Sequence, residues 1–99
     1  MYRLDFDSRA KKEFDKLGET TRRRLQKKLV ERLRDPRVEA DRLNDMPDCY
    51  KIKLRSDGYR MIYRVEDDAV VVFVIAIGQR DSNKRDVYGV AADRLDTRK

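Results

Sequence analysis

Histidine is absent from the 99 residues, and cysteine occurs once, at Cys49. The first absence excludes imidazole acid–base catalysis. The two together exclude an ordinary zinc or iron centre, so neither a metal nor any other cofactor is expected. A single cysteine has no partner for an internal disulfide, which fits a reducing cytoplasm. There is no Gly-rich phosphate loop and no serine or cysteine nucleophile beside a base. No segment approaches the roughly eighteen apolar residues of a membrane-spanning helix. The opening MYRLDFDSR lacks the apolar core of a signal peptide, so a cytoplasmic protein without membrane contact is expected. With no internal repeat and no boundary in composition, residues 1–99 read as one domain with a single core.

What the chain has in excess is charge. Lys+Arg number 25 against 19 Asp+Glu, giving a net charge of +6 and a pI near 9.6, with 44% of residues charged. Such a surface prefers a polyanionic partner, nucleic acid first.

The most informative stretch is CYKIKLRSDGYRMIYR, from Cys49 to Arg64. Tyr50, Ile52 and Leu54 alternate with Lys51, Lys53 and Arg55, the period of a half-buried strand. Alternation resumes after Ser56-Asp57-Gly58, and Asp-Gly predicts a two-residue hairpin turn. That turn sets Arg55 opposite Arg60, Lys53 opposite Ile62 and Lys51 opposite Arg64. Lys51, Lys53, Arg55, Arg60 and Arg64 then share one face, and the other face is core. Like charges about 5 Å apart across two strands repel by up to roughly 3 kcal/mol at an effective dielectric near 20. A face of this kind either protects a sheet edge from aggregation or binds something anionic.

Around the hairpin, Tyr2, Leu4 and Phe6 form a short strand with these three side chains inward. Asp7-Ser8 caps a helix that carries Ala10, Phe14 and Leu17 and ends at Gly18. A second helix runs from Thr20 or Thr21 to about Arg34, with Leu25, Leu29, Val30 and Leu33 as its apolar stripe. Residues 37–48 read as a loop. The run AVVVFVIAI, from Ala69 to Ile77, is apolar on both faces and belongs in the middle of a sheet. After Gly78 the chain turns polar, and residues 87–99 form a weakly helical C-terminal tail that frays. The order β-α-α-β-β-β predicts an α+β fold with an antiparallel sheet, a helix pair on one face and a short C-terminal helix.

The chemistry available is that of cations. Arg80 leaves the end of the central strand close enough to join the hairpin cluster. Such a cluster binds phosphates, and it also has the parts for RNA cleavage. Guanidinium groups hold the charge of a phosphorane, and a lysine among other cations has its charged form disfavoured, which suits a general base. A host that aligns the substrate would supply the positioning that so simple a site lacks.

The runs MPDCYKIKLRSDGYRMIYRV, VVVFVIAIGQR and LDFDSRAKKEFDKLG resemble RelE-type toxins of bacterial toxin–antitoxin pairs over nearly the whole chain up to the tail. The resemblance implies a RelE-like fold and a ribosome-dependent endoribonuclease, an mRNA interferase that cuts mRNA in the aminoacyl site. Cleavage needs no metal: the 2′-hydroxyl attacks the adjacent phosphate, and translation stops. The implied partners are the 70S ribosome with its mRNA and a RelB-type antitoxin, through which alone the pair touches operator DNA. By position, Lys51 and Lys53 match the paired lysines of proton abstraction and phosphate contact. Arg60 matches the arginine that stabilises the transition state, and Arg80 the one toward the leaving oxygen. Tyr88 corresponds to the tyrosine that stacks on an mRNA base, although the segment from Arg80 to Tyr88, which includes Lys84 and Arg85, is longer than the family's pattern. Arg55, Arg64, Lys84 and Arg85 fall in a supporting RNA-binding layer. The competing reading is a non-catalytic RNA- or DNA-binding module with the same basic face.

Overall fold

The β-branched run forms β4 (Val71–Gln79), an inner strand of a four-stranded sheet. The structure, a computed structural model, describes residues 1–55, 58–79 and 86–97. In the sheet β4 lies between β1 (Arg3–Phe6) and β3 (Tyr59–Glu66), and β2 (Cys49–Leu54) takes the far edge. Val71 to Ile77 are all buried, as a strand covered on both faces requires.

The strands β2, β3 and β4 run antiparallel, but β1 is parallel to β4, pairing Arg3 with Val71 and Phe6 with Val74. The fully antiparallel sheet expected from the sequence is corrected at this edge. Two helices and the hairpin separate β1 from β4, so no tight turn dictates their relative direction. Leu4 is also corrected. It is 41% exposed in the middle of the edge strand, while Tyr2 and Phe6 on either side of it pack against the core.

Helix α1 (Ser8–Asp15) starts where Asp7 Oδ1 accepts from the Arg9 amide at 2.8 Å. Helix α2 (Glu19–Arg34) follows with Gly18 as its cap. Ala10, Leu25 and Leu29 are buried from this side against Tyr50, Ile52, Met61, Tyr63 and Val74. Val30, expected in the apolar stripe, is 46% exposed, so the buried stripe is Leu25 and Leu29, with Leu33 partly buried beside it. The opposite face of the sheet has its own apolar cluster. There Cys49, Ile62, Phe73, Ile75 and Ala76 meet Val87 and Ala91 of α3 (Val87–Thr97). The face that carries the cations is therefore half core.

A bulge divides β4. Ile62 pairs with Ala76 but Tyr63 with Val74, leaving Ile75 as the extra residue. Ile75 and Ala76 consequently both face the α3 side, and the alternation after them is reversed, so Ile77 returns to the helix-pair core.

Candidate functional site

The hairpin turn is longer than the Asp-Gly signal predicts. The last pair is Leu54 with Tyr59, so four residues, 55–58, make the connection, with Gly58 left-handed at φ 70°. Lys53 stands opposite Arg60, Lys51 opposite Ile62 and Cys49 opposite Arg64. This is a shift of two residues from the expected register, which preserves the faces because side chains alternate with period two. The physical preference is visible in the pairs. The expected register aligns two like-charged pairs, Arg55 with Arg60 and Lys51 with Arg64, whereas the observed one keeps a single such pair.

Lys51, Lys53 and Arg60 meet in an open cleft of about 530 Å³, and Tyr88 of α3 lines the same cleft. The lysines are half-buried; Arg60 is 9% exposed. Its Nη1 donates to the Tyr59 carbonyl at 3.1 Å, and its buried Nε has no partner among the described residues. On the third strand the residue level with Arg60 is Gly78, which brings no side chain of its own into the row. Tyr88 stands in the first turn of α3, which Asp86 caps: its Oδ1 accepts from the Gly89 amide at 3.0 Å.

The backbone under Lys51 is held from behind. Arg32 Nη1 donates to the Lys51 carbonyl at 3.1 Å and to the Tyr63 hydroxyl at 3.0 Å, and Arg32 Nη2 to Asp41 at 2.6 Å. Tyr63 in turn donates to the Pro36 carbonyl at 2.6 Å, and burial raises its phenol pKa. The segment read as a loop contributes lining that sequence reasoning missed. Arg42 bridges to Tyr50 as an extra strand residue, and the Leu43 amide donates to the Cys49 carbonyl at 2.9 Å, which brings Arg42 and Asn44 to the cleft. No hydrophobic period announces them.

The remaining predicted residues divide. Arg64 lies four residues along β3 from Arg60, roughly 13 Å away. It is paired with Glu66 at 2.7 Å and lines an adjoining cleft of about 650 Å³, which shares Asp45 and Met46 with the first. Asp48 and Asp96 join Asp45 there, so Arg64 sits among carboxylates and not beside Lys51, Lys53 and Arg60. Arg55 is exposed in the turn and faces a different basic groove, with Lys28, Arg24 and Lys53. Arg80, Lys84 and Arg85 lie outside the described residues. Cys49 is fully buried, and burial pushes its thiol pKa up to about 11, which keeps it out of nucleophilic chemistry. No cluster of metal-ligating side chains occurs among the described residues.

A cleft with four cations, Arg42, Lys51, Lys53 and Arg60, against the one carboxylate of Asp45, with a buried donor that has no partner among the described residues and one aromatic side chain, is suited to a phosphodiester with a base beside it. Known proteins agree with that chemistry. The family model for the ParE toxin of type II toxin–antitoxin systems matches residues 4–83. Over 94 residues the chain is 58% identical to the mRNA interferase toxin RelE of Escherichia coli (strain K12), covering 95% of this chain and 97% of that one. A doubly substituted E. coli RelE in the free state superposes with a TM-score of 0.85 at 57% identity, over 95% of this chain and 97% of that one. In complex with an antitoxin RelB peptide, the E. coli double mutant superposes with a TM-score of 0.77 at 62% identity, over 82% of this chain and 85% of that one.

Proposed function

The chain belongs to the ParE/RelE toxin family, and we propose that it is an mRNA interferase that cleaves mRNA in the ribosomal aminoacyl site and is silenced by a RelB-type antitoxin. The observation that carries this reading is Arg60. A guanidinium that is 9% exposed, with a buried Nε left without a partner among the described residues and two lysines beside it, is costly to keep unless an anion completes it.

The reaction is transesterification. A 2′-hydroxyl loses its proton to Lys51 or Lys53, and its oxygen attacks the adjacent phosphorus. The bond to the 5′-oxygen breaks and that oxygen takes up a proton from solvent, leaving a 2′,3′-cyclic phosphate and a 5′-hydroxyl end. Arg60 holds the equatorial oxygens of the phosphorane, where negative charge grows. Arg80 follows directly on Gln79 at the end of β4 and is assigned to the leaving oxygen. Tyr88 stacks on a base and fixes the phosphate between the cations. The cleft is open and holds its substrate at few points, so the ribosome provides the alignment. The ribosome and its mRNA place this activity in the cytoplasm.

The antitoxin should be acidic and fold on this surface, either over the cations or in place of α3. Operator DNA is then met through the antitoxin.

Primer extension on mRNA tests the reading. New 5′ ends are expected on ribosome-bound message and not on the same RNA free in buffer. A non-catalytic binding module would leave no new ends in either case. Undiminished cutting by both Arg60→Ala and Arg80→Ala would overturn the assignment of the chemistry.

A further inference from the structure

β4 runs on past the end of β1, whose last pair is Phe6 with Val74. Beyond that point two side chains occupy the place of a neighbouring strand. Glu13 Oε1, from α1, accepts from the Ile77 amide at 3.2 Å. Arg94 Nη1, from α3, donates to the carbonyl of the bulged Ile75 at 2.9 Å. The two side chains also grip each other in two places, Nη1 to Oε1 at 2.8 Å and Nη2 to Oε2 at 2.9 Å. The arginine side chain is only 12% exposed and the glutamate 33%. A partly buried, bidentate and charge-assisted pair has a defined geometry, which apolar contacts do not provide.

That distinction matters for α3. Its fully buried side chains are the small Val87 and Ala91, which share an apolar cluster with Ile62, Phe73, Ile75 and Ala76, and Val90, Ala92 and Leu95 pack alongside. Apolar burial of this kind holds a helix down but is non-directional, so it does not by itself fix the rotation of the helix. The Glu13–Arg94 pair is directional and bonded to the β4 backbone. Tyr88 lies on the same helix, less than two turns from Arg94. Fixing Arg94 therefore fixes the height and rotation of Tyr88 in the cleft with Lys51, Lys53 and Arg60.

We propose that Glu13 is a positioning residue for the cleavage reaction, acting through Arg94 to lock α3 on the free edge of β4 and so hold Tyr88 in register with the cations. The proposal rests on the nuclease reading above and on Tyr88 meeting the substrate.

The experiment compares wild type, Glu13→Gln, Arg94→Lys, Tyr88→Ala and the Glu13→Gln/Tyr88→Ala double variant. It measures the single-turnover rate of cutting on ribosomes programmed with one mRNA, and the hydrogen exchange of the α3 amides. Glu13→Gln keeps an acceptor for Ile77 and loses the charge that grips Arg94. Arg94→Lys keeps the charge and loses the fork. Each is expected to slow cutting roughly tenfold or more and to raise exchange in α3. In the Tyr88→Ala background the glutamate substitution is expected to change the rate by less than about twofold, because its effect passes through Tyr88. Wild-type rates in both single variants, or losses that multiply in the double variant, overturn the proposal. If wild type itself does not cut, the nuclease reading fails and the positioning role falls with it. Exchange then still shows whether the lock exists: faster exchange in Glu13→Gln retains it, and unchanged exchange removes it too.

Discussion

Arg60→Met is expected to make the protein more stable and inactive. The wild-type guanidinium is 9% exposed, its Nε is buried without a described partner, and Lys53 stands level with it on β2. A buried donor left unsatisfied costs about 1–3 kcal/mol. Two like charges roughly 7 Å apart repel by about 2.4 kcal/mol at an effective dielectric near 20, reduced to about 1 by solvation of the half-buried lysine and by salt. Methionine keeps most of the aliphatic stem and removes both penalties. It gives up the bond to the Tyr59 carbonyl, worth about 1 kcal/mol. The net gain is about 1–3 kcal/mol, which in a domain of this size raises Tm by roughly 5–20 °C. Thermal and urea unfolding at neutral pH measure it, and added salt is expected to shrink the difference, since salt screens the repulsion that only wild type carries. Cutting of ribosome-bound mRNA is expected to fall roughly 10²–10³-fold, as when a donor to a developing oxyanion is removed. A variant that unfolds below wild type would refute the reasoning, because Arg60 would then be a structural residue with a satisfied role and not a donor held ready for phosphate.

Three further outcomes are expected. Tyr63→Phe leaves the Pro36 carbonyl and one Arg32 N–H without their partner in a buried site, and is expected to cost about 1–3 kcal/mol in thermal unfolding. Asp7 caps α1 and is bonded by the Arg9 guanidinium, which holds its pKa down at about 2. Because the folded pKa lies below the unfolded one, the stability it contributes is present above about pH 4 and lost as pH falls toward 2. Asp7→Ala is therefore expected to cost about 1 kcal/mol at pH 7 and progressively less across that window, read from unfolding curves at each pH. Tyr88→Phe, which keeps the ring, is expected to cut at nearly the wild-type rate and Tyr88→Ala about tenfold or more slower; equal rates for Ala and wild type would remove Tyr88 from the site.

The faces of the hairpin were legible in the sequence and its register was not. Alternation with period two assigns Lys51, Lys53 and Arg60 to one side whatever even shift the strands adopt. The Asp-Gly pair pointed to a two-residue turn, but pairing Leu54 with Tyr59 and sparing one like-charged pair outweighed that local signal. The separation of Arg64 from the cluster follows from the same shift together with Glu66, which no spacing rule selects. The position of Arg42 was equally hidden, since it depends on a single bridge to Tyr50.

By itself, then, the sequence determined the class of chemistry and the frame. The absence of histidine and the excess of Lys and Arg left cations as the working groups, and the apolar run at 69–77 had to be an inner strand because both of its faces needed cover. Only the tertiary structure decided that β1 joins parallel and that β4 bulges at Ile75. It also decided how α3 reaches the cleft, through the ion pair between Glu13 and Arg94, 81 residues apart in the chain. The reason is one of range: periodicity and turn signals report on neighbours along the chain, whereas a pair at that separation is selected by the shape of the sheet edge it fills, which exists only after the chain has folded.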